Sequence, residues 1–200
     1  MRRMDTRVRR FVKKAWHFLW DEDSVWSWLA NVVLAFVLIK FIVYPSLGLL
    51  LGTSFPIVAV VSGSMEHQGS FDHWWGAQQA FYEELGISKD EFATYPFSNG
   101  FNKGDIMVLR GIKKENIKIG TVIVFHTSRL AEPVIHRVVI SADGVDGVVT
   151  TKGDFNKNSH SFEQQITRDK IIGEAFVRIP YLGYIKIWFV DLMRFIGVMP

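Results

Sequence analysis

The chain has no cysteine among its 200 residues. Disulfides, thiolate catalysis and cysteine-ligated zinc are therefore excluded. Histidine does not fill the gap: His67, His73, His126 and His160 form no recognised metal-ligand spacing. A phosphate-cradling glycine loop and a dinucleotide fingerprint are both missing, so neither a metal nor a cofactor is expected. There is no internal repeat and no low-complexity tract. Charge is absent from one long stretch, since between Ser24 and Met65 only Lys40 is charged. Acidic residues are scarce before it. In the first fourteen residues Asp5 alone opposes Arg2, Arg3, Arg7, Arg9, Arg10, Lys13 and Lys14.

What is present is apolar. Hydrophobic residues make up 48% of the chain, high for a purely soluble protein and low for one made mostly of membrane spans. One anchor and one modest domain fit that balance. A basic patch can serve nucleic acid. Placed just before an uncharged run, it reads instead as a cytoplasmic membrane flank, residues 1–23, with no nucleic-acid partner. Residues 24–44 then predict a transmembrane helix about 30 Å long, enough for a bilayer core. Lys40 would snorkel to the far interface, Trp20, Trp26 and Trp28 would form the near aromatic belt, and Pro45 would end the helix. Everything after Pro45 is then expected outside the cytoplasm, in a cell-membrane protein of one span. A cleavable signal peptide is the alternative; the long charged lead and the lack of a small-x-small cleavage pattern argue against it.

From Phe55 the pattern turns to strands. Residues 55–66 and 103–180 predict a β domain, its strands at Ile106–Leu109, Val122–His126, Val134–Ile140, Val145–Thr151 and Ile171–Ile179. Gly104-Asp105, Gly120-Thr121, Asp143-Gly144 and Gly153-Asp154 punctuate them. An aromatic-rich insertion, 67–102, separates the two parts. It predicts a short helix over Gly76–Leu85 and a second opened by the capping box Ser88-Lys89-Asp90-Glu91. Residues 181–200 are apolar but carry Lys186, Asp191 and Arg194, which suits a helix lying in a membrane interface; a second span is the alternative. The fold class is thus mostly β, with an N-terminal membrane helix and a small helical insertion.

Ser62-Gly63-Ser64-Met65 is a small polar turn where the first strand ends, a good place for an exposed nucleophile. A serine hydroxyl needs a neighbouring base. His136, in Val134-Ile135-His136-Arg137-Val138-Val139, is a candidate, because an imidazole with an ordinary pKa of about 6.5 is mostly neutral at pH 7. Alternation places it with Val134, Val138 and Ile140, so a satisfied core histidine fits equally well. Asp154 could orient that histidine or simply occupy a turn. The Ser62 hydroxyl, with the Ser64 N–H, could receive an oxyanion or be a turn serine. Lys152, two residues before Asp154 and on the same side by alternation, is a rival base.

Taken in order, these motifs resemble type I signal peptidases of the archaeal and endoplasmic-reticulum branch, peptidase family S26. Val61-Ser62-Gly63-Ser64-Met65-Glu66 resembles the nucleophile box. Lys103-Gly104-Asp105-Ile106-Met107-Val108, Ile119-Gly120-Thr121-Val122-Ile123-Val124-Phe125 and the His136 segment resemble the strands that follow. Thr151-Lys152-Gly153-Asp154-Phe155-Asn156 resembles the aspartate box, and Ile172-Gly173-Glu174 with Ile179-Pro180-Tyr181-Leu182-Gly183-Tyr184 resembles the closing strand. The resemblance implies an all-β catalytic core, removal of signal peptides from preproteins, Ser64 as nucleophile, His136 as general base and Asp154 as orienting acid. Preproteins, membrane lipids and the translocation machinery are the implied partners. In the bacterial branch a lysine holds the His136 position. Three features depart from the pattern: His160 near a second family aspartate, His67 where proline is usual, and a longer insertion. A catalytically inactive membrane scaffold, binding a partner through that insertion, is the competing expectation. The compact chain, without cysteine or an N-glycosylation acceptor, points to an archaeal source.

Overall fold

The computed structural model describes residues 6–142 and 147–197. Arg2, Arg3, Asp5, the Asp143-Gly144 turn and the start of the strand expected from Val145 lie outside them. The described chain divides into two units, one ending at Leu47 and the other beginning at Gly48.

The first unit holds α1 (Thr6–Trp20) and α2 (Val25–Leu38). Ser24 caps α2, its hydroxyl accepting from the Ser27 N–H. The helix does not stop at Pro45. It runs on through a π turn, Ile39–Val43, into α3 (Tyr44–Leu51). Proline has no N–H and crowds the carbonyl one turn back. The wide turn absorbs this: Tyr44 N–H reaches back five residues to the Ile39 carbonyl. Val25–Leu51 is one helix of 27 residues with mean hydropathy 2.2, long and apolar enough to cross a membrane. No other helix among the described residues meets that description.

The second unit is built on one antiparallel sheet of seven strands, β1 (Ile57–Ala59), β2 (Ile106–Arg110), β3 (Val122–Phe125), β4 (Val134–Ser141), β5 (Val148–Lys152), β6 (Ile166–Thr167) and β7 (Ile171–Ile179). Their spatial order is β1-β2-β7-β3-β4-β5-β6. β3 is central and buried at every residue, as an unbroken apolar run requires. Its alternate side chains feed two cores. Val122 and Val124 join Val60, Met65, Met107 and Leu109; Ile123 and Phe125 join Val134, Val138 and Val149. A register shift between Val138 and Ile140 breaks the alternation of β4. Ile140 is therefore exposed rather than sharing the face of His136.

The insertion forms α4 (Phe71–Glu84), longer than its sequence pattern suggests because Ser70 caps it, and α5 (Lys89–Ala93), capped by Ser88 as expected. Trp74, Trp75, Tyr82, Ile87 and Phe92 pack with Val139 of β4 into a third core. The chain closes in α6 (Tyr184–Phe195). At 12 residues α6 spans about 18 Å, short of a bilayer core, and none of its residues is buried.

Candidate active site

The Ser62–Met65 turn is held from both sides. Met65 is fully buried in the core, its carbonyl accepts from Phe101 N–H at 3.0 Å, and the Ser64 carbonyl accepts from Phe155 N–H at 2.9 Å. The Ser64 side chain stays partly open. Its Oγ lies 2.8 Å from His136 Nε2 and 3.2 Å from Ser62 Oγ. The structure thus brings together Ser62, Ser64 and His136.

It does not bring Asp154 to the histidine. His136 Nδ1 is hydrogen-bonded instead to Glu163 Oε1, a residue the motif pattern did not single out. Glu163 is fully buried in the short helical turn Ser161–Glu163. Its other oxygen accepts from His160 N–H at 2.7 Å, and Thr151 Oγ1 donates to Oε1 at 3.3 Å. With Nδ1–H directed at the carboxylate, Nε2 is free to accept the Ser64 proton.

Asp154 lies in a separate buried network. Arg137 grips it with two hydrogen bonds, Nε to Oδ1 at 2.9 Å and Nη2 to Oδ2 at 2.7 Å. His67 Nε2 meets Oδ2 at 3.0 Å and Tyr82 Oη donates to Oδ1 at 3.3 Å. The remaining Arg137 donors reach the carbonyls of Pro96, Gly120 and Phe97. Residues 136 and 137 are neighbours on a strand and face opposite ways. Asp154 therefore braces the face turned toward the insertion. Burial alone would raise its pKa, but the Arg137 charge and the hydrogen bonds from His67 and Arg137 outweigh it and hold the carboxyl well below the carboxylate range.

A depressed folded-state pKa stabilises the fold above the ordinary carboxylate value, about 3.9, and that contribution fades as pH falls toward the folded-state value. In a thermal scan series below about pH 4, Tm of the wild type should fall more steeply than Tm of Asp154→Asn. Parallel acid limbs would contradict the ion pair.

Lys152 is buried on the Arg137 face. Its Nζ donates to Gln78 Oε1 at 3.0 Å and to the Gly153 and Asp154 carbonyls at 3.2 and 3.4 Å. Burial pushes its pKa down to about 8, against the pull of Asp154 and Glu163. All three ammonium hydrogens have acceptors here, and none of them is Ser64. The insertion reaches the same segment: Trp74 Nε1 donates to the Asp154 carbonyl at 3.0 Å and Gln78 Nε2 to the Phe155 carbonyl at 3.3 Å. Gly153 sits between the two networks. A Cβ there would lie 2.8 Å from the Ser64 carbonyl and 2.9 Å from His136 Nε2, so only glycine fits.

A groove of about 410 Å³ opens at Ser64. Ala59, Val61, Leu130, Pro133, Ile135 and Phe162 give it apolar walls, and Ser62, Glu132, His136, Asn156 and His160 add polar groups. Its edge runs along β1, an outer strand paired only with β2.

Comparison with known proteins gives the same direction as the motif order. A signal peptidase complex catalytic subunit of Neurospora crassa is 25% identical over 155 residues, covering 74% of this chain and 71% of that protein. The SEC11C catalytic subunit of Homo sapiens is 25% identical over 160 residues, 76% of this chain and 67% of that protein. The SEC11 subunit of Colletotrichum graminicola is 28% identical over 169 residues, 79% of each chain. The chain is a homologue of signal peptidase catalytic subunits. No family model matches it. As a homologue it keeps the sheet-rich core expected of that group, behind one N-terminal apolar helix.

Proposed function

We propose that the chain is a membrane-bound serine endopeptidase that removes signal peptides from exported preproteins. The observation that carries the proposal is the linear array Ser64–His136–Glu163, with Ser64 Oγ 2.8 Å from Nε2 and Glu163 on Nδ1. Ser64 is the nucleophile and His136 takes its proton, then returns it to the leaving amine. Glu163, in place of the Asp154 expected from the motif, holds the ring and stabilises the imidazolium. The Ser62 hydroxyl and the Ser64 N–H receive the oxyanion. The basic N-terminal flank supports an orientation with α1 in the cytoplasm and the β domain outside it. The relatives are named as subunits of a complex, and this chain is proposed to work within a complex too, with the translocation machinery as a further proposed partner.

A substrate enters as an extended strand on the free edge of β1, with the residue before the cut against the groove. Those apolar walls favour uncharged side chains there, and small ones are expected, as in the A-x-A pattern. Detergent-solubilised protein incubated with a preprotein should release one defined fragment. A bulky residue placed directly before the cut should block release. Equal cleavage of both substrates would mark a broad protease instead.

A further inference from the structure

We infer that α1 lies in the plane of an anionic membrane surface, as an amphipathic helix docked on lipid at the entry of the apolar helix Val25–Leu51. The inference deepens the membrane-bound reading above and rests on it. At 100° per residue, Val8, Phe11, Val12, Ala15 and Leu19 fall within one arc of about 100°. Arg9, Arg10, Lys13 and His17 fall within a similar arc on the far side, with Arg7 and Lys14 on the flank. The helix contains no carboxylate; the nearest described acids, Asp21, Glu22 and Asp23, stand in the turn beyond its end.

Among the described residues, Val8, Phe11 and Val12 of the apolar arc lie open, while Ala15 and Leu19 toward α2 are half-buried. No residue of α1 is buried, and Phe11, Val12 and Trp16 are exposed. Aromatic and aliphatic groups on one side with cations on the other match an acyl–headgroup boundary rather than a nucleic-acid backbone. A second observation sets the depth. Asn31 Nδ2 donates to the Leu19 carbonyl at 2.7 Å. Asn31 stands six residues beyond the start of α2 at Val25, about 9 Å along the helix. The end of α1 is thereby tied level with the second turn of the apolar helix, within the ~5–10 Å at which interfacial helices sit. The same bond satisfies an amide that hydrocarbon would leave unpaired. Trp16 and Trp20 stack at 4.7 Å beside this junction, where indoles favour the interface.

The absence of cysteine permits clean single-site labelling of the full chain. Nitroxide labels at Arg9→Cys, Phe11→Cys and Val33→Cys, the first two about 160° apart around α1, would be compared in nanodiscs of mixed phosphatidylglycerol and phosphatidylcholine, and of phosphatidylcholine alone. The ratio of oxygen to nickel-complex accessibility should be severalfold higher at 11 than at 9 in the anionic discs. The difference should shrink in the neutral discs. Arg10→Glu with Lys13→Glu should shrink it in the anionic discs as well, by about fivefold in the docked population for each cation lost. Equal accessibility at 9 and 11, with Val33 in lipid, would overturn the docking of α1 alone. A water-exposed label at Val33 would overturn the spanning reading beneath it. Loss of the anionic preference, spin–spin broadening from a second copy, or immobilisation by added RNA would each overturn the assignment to anionic lipid.

Discussion

Ser64→Ala is expected to lower preprotein cleavage by ~10³-fold or more while leaving Tm unchanged, since it removes the attacking oxygen and little else. Ser64 Oγ is partly open to the groove and bonded to His136 and Ser62, so its loss exposes no new buried group. Ser62→Ala should cost less, about 10²- to 10³-fold in kcat, the usual loss for one oxyanion donor. If Ser64→Ala retains wild-type turnover, the chemistry proposed for this groove is wrong. If Ser62→Ala costs as much as Ser64→Ala, Ser62 holds a larger part than a hydrogen-bond donor.

The second large effect separates two buried acids. Glu163→Gln keeps the shape of the side chain but offers His136 Nδ1 an amide in place of a carboxylate. The imidazolium loses its counter-charge and the ring its preferred tautomer, a change worth up to about 10⁴-fold in kcat. The fold should survive, because the amide oxygen can still accept from the His160 N–H while its NH2 donates to His136 Nδ1 and to the Thr151 hydroxyl, which then serves as acceptor. Asp154→Asn should behave in the opposite way. It leaves Arg137 charged, fully buried and without its ion-pair partner, a situation that typically costs about 3–5 kcal/mol of stability. Melting temperature and single-turnover rate, measured together on both variants, distinguish them. A stable, inactive Asp154→Asn beside a fully active Glu163→Gln would return the orienting role to Asp154.

The reason for this exchange of acids is partly visible in the chain. Ser64 and His136 could be found because each sits in a short motif whose local geometry is fixed: a polar turn after a strand, and a strand residue with apolar neighbours. Asp154 lies two residues beyond Lys152, on the Lys152 side by alternation. Lys152 pairs with Arg137 in the β4–β5 register, so an acid on that side meets the arginine, not the histidine before it. A buried arginine demands such a partner, and the adjacent Arg137 was the available signal. Glu163 gave a fainter one. It closes a capping box with His160, but histidine is an unusual residue at the first position of that motif. The site also depends on a turn that returns the chain 27 residues after His136, which periodicity does not reveal. The insertion's outline was legible from Ser88 and its aromatic content. Its contacts with the Asp154 and Phe155 carbonyls are long-range and were not. The passage of the apolar helix through Pro45 ran against local propensity, and the π turn before it supplied the slack.

The most direct test of the central claim, that His136 is the base, is the pH dependence of kcat/KM for one defined preprotein, in wild type and Lys152→Ala. An imidazole base gives an acid limb that does not depend on Lys152. A lysine base in this chain would titrate near the value to which burial pushes Lys152, about 8. The account predicts a single acid limb with the same midpoint in both proteins. A limb centred near 8 in the wild type and absent from Lys152→Ala would contradict it.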